Sequence, residues 1–334
     1  MMKKFITTAL LCAFILTGCA NNSTSVSSDV STSSSQTSDS STESSSSAEE
    51  NEYVPGSRDD NGVYVVDGYA AKLEYPLNEK NINYAAKRFS YIYEQYLKGI
   101  CDNVYVTVVP DKNYFLAKEN GYPSLDHDEL AEMLTKQMDY AKYLNIYPML
   151  ELSDFYRTDT HWRQEKIVDI AQFIAGEMGV TLSADYTQTV LENPFVGIHC
   201  RQSEISIEPD ELIYLTNQIL QDCKVLDGET DSYIDVYNME LAEGKDAYEI
   251  FLSGAKSLLT IENPNATTDR ELLIFRDSFA SSIAPLFAEG YSKITLIDIR
   301  YLAPQLLKNF VTFNGQDVLF LYSTPVLNNS VTFK

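Results

Sequence analysis

Positive charge is scarce in this chain. Its 334 residues carry 25 lysines and arginines against 48 aspartates and glutamates, a formal net charge of -23. A surface this acidic repels phosphodiester backbones and anionic headgroups, which excludes nucleic acid as a partner and favours a neutral or cationic substrate. Cysteine is sparse as well. Cys12 and Cys19 fall near the start, leaving Cys101, Cys200 and Cys223, an odd number without C-x-x-C spacing. That pattern indicates neither a disulfide framework nor a metal site, and nothing in the chain calls for a cofactor. A Cys200–Cys223 bridge with Cys101 buried and three buried thiols are both admissible. Tryptophan occurs once and histidine three times, whereas tyrosine occurs 23 times. Tyrosines in such number suit a sugar-binding surface, although half-buried strand and helix positions are their commoner use.

The first apolar run is short. Lys3 and Lys4 precede Phe5 to Leu16, too few residues to span a bilayer comfortably, and the run ends in Leu16-Thr17-Gly18-Cys19. Charge, apolar stretch and a small residue before cysteine together read as a bacterial lipoprotein signal over 1–18, with lipidation of Cys19. The mature chain is then expected on the extracytoplasmic face of the membrane, held by its acyl chains. Over 19–52 the composition collapses to Ser, Thr, Asp and Glu, which cannot offset the entropy of ordering. A flexible tether of roughly thirty residues spans about 30 Å on average, a reach that suits a cell-wall polymer. The remainder, 53–334, lacks a Pro/Gly/Ser-rich break and reads as one domain.

Within that body, amphipathic helices alternate with short apolar strands, the signature of an α/β fold with a mainly parallel sheet. Ile82, Ala85, Phe89, Ile92, Tyr96 and Ile100 recur at helical spacing before a strand Val104–Val109 that closes at Pro110. A second helix is expected over Asp128–Leu144, then a strand over Tyr147–Leu152. Further strands are expected at Leu272–Phe275, Ile294–Ile299 and Val318–Tyr322, with helices at Ser281–Ala288 and around Ala303–Lys308. In open parallel sheets the ligand site lies beyond the carboxyl ends of the strands. Two strings fall there, Asp159-Thr160-His161-Trp162 and Asp277-Ser278.

Those strings hold the components of an acyl-transfer site. A serine hydroxyl is a poor nucleophile at neutral pH and needs a base such as imidazole within hydrogen-bonding reach. His161 supplies the base, Asp159 would hold its tautomer, and Ser278 would be the nucleophile. A helix starting at Ser278 would aim backbone N–H groups at the oxyanion. Each string alone has an ordinary explanation: a surface D-x-H, and a helix N-cap. Trp162 would wall the site, Arg300 would reach its edge as an anion clamp or sit in a structural ion pair, and Lys112 would follow a strand end, in a substrate contact or a solvated turn. His127 reads as a surface residue at a helix start, and His199 has no recognisable partner.

Five stretches carry a resemblance. Val108-Val109-Pro110-Asp111-Lys112-Asn113-Tyr114, Asp159 to Trp162, Asp246 to Gly254, Asp277-Ser278-Phe279 and Leu296 to Tyr301 span nearly the whole body. Together they resemble the DHHW family, SGNH-hydrolase-like proteins grouped with the alginate O-acetylation proteins AlgJ and AlgX. The resemblance implies an SGNH-like three-layer α/β/α fold with the motif order permuted, D-x-H before the serine. It implies Asp159, His161 and Ser278 as a triad. Thr160 stands where the family name expects histidine, so whatever that histidine contributes is missing here. The Gly and Asn oxyanion donors of ordinary SGNH enzymes have no match.

Together these features describe a surface lipoprotein acting on acetyl esters of a cell-wall or extracellular polysaccharide, as O-acetyltransferase or esterase. A transferase would need a membrane acyl-transfer partner to deliver its donor. The alternative is a non-catalytic carbohydrate-binding or envelope-assembly lipoprotein that retains the fold.

Overall fold

The computed structural model describes residues 58–334; the signal peptide, Cys19 and the tether expected at 1–52 lie outside the described residues. Twelve strands occur among these residues. A small hairpin pairs β1 (Val63–Val66) with β2 (Tyr69–Lys72). The main sheet draws on β3 (Val104–Val109) and the two-residue β4 (Lys142–Tyr143), while β5 (Thr187–Val190) pairs separately with β6 (Ile213–Thr216). The other main-sheet strands are β7 (Lys224–Asp227), β8 (Ser232–Ile234), β9 (Leu258–Glu262), β10 (Glu271–Arg276), β11 (Lys293–Ile297) and β12 (Asp317–Ser323).

The eight strands of the main sheet run in the order β4-β3-β12-β10-β11-β9-β7-β8. From β4 to β11 every pairing is parallel, and from β11 to β8 every pairing is antiparallel. The parallel centre follows from composition. All six residues of β3 and all seven of β12 are buried, as strands covered on both faces require. The three-layer α/β/α arrangement covers them. On one face Phe89 of the helix Glu79–Ile92 lies 4.9 Å from Phe320 and 5.0 Å from Tyr322, and on the other sit the helix Val168–Glu177 and the turns of Ala284–Glu289.

Three expected elements change form. The second helix, His127–Thr135, stops nine residues before Leu144, because Met138 and Ala141 enter turns that let Lys142 pair with Tyr105 of β3. No strand forms over Tyr147–Leu152: Pro148 has no N–H to offer a ladder, and the segment coils into 3₁₀ turns at Tyr147–Met149 and Leu152–Asp154. Pro285 likewise confines the helix after Ser278 to Ala280–Ile283, and a 3₁₀ segment continues to Glu289. Cys101, Cys200 and Cys223 are three buried free thiols. Among the described residues no helix is long and apolar enough to cross a membrane, and no group of three acidic, His or Cys side chains is placed to hold a metal ion.

Candidate active site

Carboxyl ends of four parallel strands meet at one edge. Asp111 and Lys112 follow β3, Asp277 and Ser278 follow β10, Asp298 follows β11, and Thr324 follows β12. Asp277 is fully buried and stitches the edge together. Its Oδ2 accepts from the backbone N–H and hydroxyl of Ser323, both at 2.7 Å, while Oδ1 accepts from the N–H of Phe279 at 3.0 Å. The turn that presents Ser278 is thus pinned from below.

The histidine loop is held just as firmly. Tyr156 N–H donates to the His161 carbonyl and Arg163 N–H to the Asp154 carbonyl, so residues 156–161 close on themselves. Buried Asp210 clasps the loop's entry, accepting from Arg157 N–H (2.8 Å), Thr158 N–H (2.8 Å) and the Thr158 hydroxyl (2.6 Å). The loop exit is tied to the serine turn. Trp162 Nε1–H donates to the Phe279 carbonyl at 3.0 Å and to Ser282 Oγ at 2.9 Å, and Gln164 Nε2–H donates to the Ser282 carbonyl at 2.7 Å.

These clamps bring Asp159 and His161 into one line with Ser278, which lies 117 residues beyond the histidine. Ser278 Oγ–H donates to His161 Nε2 at 2.7 Å, and His161 Nδ1–H donates to Asp159 Oδ1 at 2.6 Å. An ionised carboxylate can only accept, so Asp159 fixes the tautomer that leaves Nε2 free to take the serine proton. Asp159 is itself saturated: Oδ1 also accepts from His161 N–H (3.0 Å) and Oδ2 from Ile198 N–H (2.7 Å). Burial pushes its carboxyl upward, but the adjacent imidazole and these N–H donors outweigh burial and hold it well below the ordinary carboxylate range. Ser278 itself is half-buried.

Ile198 N–H reaches Asp159 because of Gly197. A Cβ at position 197 would sit 2.2 Å from the Asp159 Cβ, so only glycine allows the approach. Neither Gly197 nor Asp210 stood out in the sequence, since each lies far along the chain from the residues it supports. Tyr248 was within a recognised stretch but without a role. It stacks on the His161 ring at 3.8 Å between centroids and 7° between planes.

The other sequence candidates sit differently. Trp162 is fully buried and latches the two loops, so it offers no wall to a substrate. Arg300 is half-buried and spent on Asp298, its Nε and Nη2 donating at 2.6–3.2 Å, which makes it a structural partner of a buried carboxylate and no anion clamp. Lys112 is buried, donating Nζ–H to the carbonyls of Tyr156 (2.8 Å) and Arg157 (3.1 Å), and burial lowers its pKa to about 8. It braces the histidine loop from beneath and is no solvated turn lysine. Lys112 and Thr160 line a cavity of about 70 Å³ with His199, whose pKa burial and nearby Lys112 push down to about 3. His127 is buried against Asp111, 3.4 Å away.

The expected oxyanion geometry is narrower than a helix start would give. The N–H groups of Phe279, Ala280 and Ser281 are taken by Asp277 Oδ1, the Asp277 carbonyl and the Ser278 carbonyl. Among the described residues the Ser278 N–H alone of these four has no partner.

With this geometry the chain superposes on a DHHW family protein from Eubacterium siraeum, with a TM-score of 0.68 at 23% identity, over 84% of this chain and 96% of that one. The two share a fold. This DHHW-type fold extends to Bacillus cereus PatB1, solved both alone and with a sulfonyl adduct. PatB1 aligns at a TM-score of 0.61 and 19% identity, over 79% of this chain and 96% of the PatB1 chain without the adduct. No family model and no curated protein matches the sequence. The DHHW-type fold of the described residues is therefore carried by structure far more than by sequence identity.

Proposed function

We propose that the protein is a serine acyl-ester enzyme acting on O-acetyl groups of a cell-wall or extracellular polysaccharide. The observation that carries the reading is the continuous relay Ser278–His161–Asp159, with bonds of 2.7 and 2.6 Å. In the reaction His161 Nε2 takes the Ser278 proton as Oγ attacks the ester carbonyl. The tetrahedral oxyanion lies toward the free Ser278 N–H, and His161 returns the proton to the departing sugar hydroxyl. The acetyl group then passes from Ser278 to water or to another sugar hydroxyl, which separates esterase from transferase. The acetyl and polysaccharide assignments rest on the resemblance of the motifs, and the strongly acidic chain fits a neutral or cationic glycan.

Purified full-length protein tested with a chromogenic acetyl ester and an O-acetylated glycan reads both outcomes. The parent chain is predicted to release or transfer acetate, and Ser278→Ala to fall to background; equal rates would remove Ser278 as nucleophile. The same reading places the enzyme outside the cell membrane on a lipid at Cys19, beside a membrane acyl-transfer partner if it is a transferase. Cys19→Ala is predicted to move the protein from the membrane fraction to the soluble fraction, and unchanged fractionation would contradict the anchor.

A further inference from the structure

Tyr248 is buried and touches both halves of the site. Its ring lies parallel to His161, with centroids 3.8 Å apart and planes at 7°. Its hydroxyl donates to Ser282 Oγ at 3.0 Å and approaches the carbonyl of Ser278 itself at 3.4 Å. Ser282 Oγ also receives Trp162 Nε1–H, so the tyrosine closes a ring of contacts from histidine loop to serine turn. Two hydrogen bonds already fix the imidazole within its plane, at Nδ1 and Nε2. They leave tilting about the axis joining those atoms limited only by the side chain's own Cβ–Cγ tether. A flat ring against one face removes that freedom, and Phe279 at 5.0 Å limits the imidazole further.

The stack also bears on charge. During acyl transfer the imidazole becomes a cation, and a cation within about 6 Å of an aromatic face is attracted by the ring quadrupole. The charged and titratable groups around the pair are Asp159 on the Nδ1 side, His199, Lys112 and Arg201 beside the aspartate, and Asp277, Arg276 and the buried Tyr156 beside the tyrosine. None of these lies in the stack itself.

We propose that Tyr248 is a positioning residue of this site, whose ring sets the plane of His161 and stabilises its protonated form while its hydroxyl ties that ring to the Ser278 turn. The inference rests on the relay reading above. Its test needs no natural substrate. Phenylmethanesulfonyl fluoride would be displaced at sulfur by Ser278 Oγ: the O–S bond forms, fluoride leaves, and the serine proton passes to His161. The rate of this labelling against pH reports the ionisation of His161 in the free protein.

Full-length parent, Tyr248→Phe and Tyr248→Leu are compared, with Tyr248→Met filling the buried space without a ring should the leucine variant not fold. Tyr248→Phe keeps the stack and is predicted to retain the acid limb of the profile while labelling a few-fold more slowly. Tyr248→Leu or Tyr248→Met is predicted to move the acid limb by roughly half a unit to one unit, set by the cation–ring attraction lost. The sign follows from the state the ring favours: without it the imidazolium is less stable, so the limb moves to lower pH. An unmoved limb in the ringless variants, or the same shift in Tyr248→Phe, would overturn the proposal. A parent chain that does not label at Ser278 would overturn the relay reading instead.

Discussion

Asp159 shows how much a single side chain can hold. It receives three hydrogen bonds on two oxygens while fully buried, and they keep it ionised. A carboxyl depressed in the folded state contributes stability above its unfolded pKa of about 3.9, and that contribution is lost as pH falls through the folded value. Asp159→Asn should therefore flatten the loss of thermal stability expected of the parent below about pH 4. The same change favours the wrong imidazole tautomer, and turnover should drop on the order of 10⁴-fold at neutral pH with little change in fold. Acid unfolding curves and ester turnover of the pair check both statements. A variant as active as the parent would show that Asp159 does not act through His161.

Residues of this kind were only partly legible in the sequence. Asp159, His161 and Ser278 could be paired because their chemistry is specific and their neighbours matched a known pattern. Trp162 and Lys112 read as residues facing a substrate or solvent and Arg300 as a clamp or an ion pair, because a polar or aromatic residue beside a strand end reads the same whether its side chain turns outward or inward. Lys112 turned inward to cap two carbonyls, and Arg300 bent back onto a carboxylate two residues away.

At the level of elements, the site is made by loops that regular structure only frames. Strands β3, β10, β11 and β12 were readable from runs of buried β-branched and large apolar residues. Strands β7, β8 and β9, which extend the sheet antiparallel, were not, because they are short and carry mixed polarity. Nor was the helix Ile198–Arg201, which four residues cannot announce by periodicity, yet its first N–H meets Asp159. Gly197 makes that approach possible. Gly197→Ala would drive a methyl group into the Asp159 backbone and side chain, displacing the helix or the aspartate. Destabilisation of about 1–3 kcal/mol is predicted, together with loss of most turnover, read by thermal unfolding and ester hydrolysis. Parent-like stability and rate would mean the contact at 197 is not needed.

Across the whole molecule, one parallel sheet edge and two clamped loops turn distant stretches of sequence into one relay. The order D-x-H before serine poses no obstacle, since the histidine loop is held by side-chain and turn contacts and meets Ser278 through His161 Nε2. Thr160 leaves that line undisturbed and lines a separate cavity with His199 and Lys112. The function proposed for this site requires that Ser278 be covalently modified through His161. Intact-mass and peptide mapping of the full-length protein after a sulfonyl fluoride test it most directly. One adduct per chain is expected, located on Ser278 and absent in His161→Ala; no adduct, an adduct elsewhere, or equal labelling without His161 would rule the relay out.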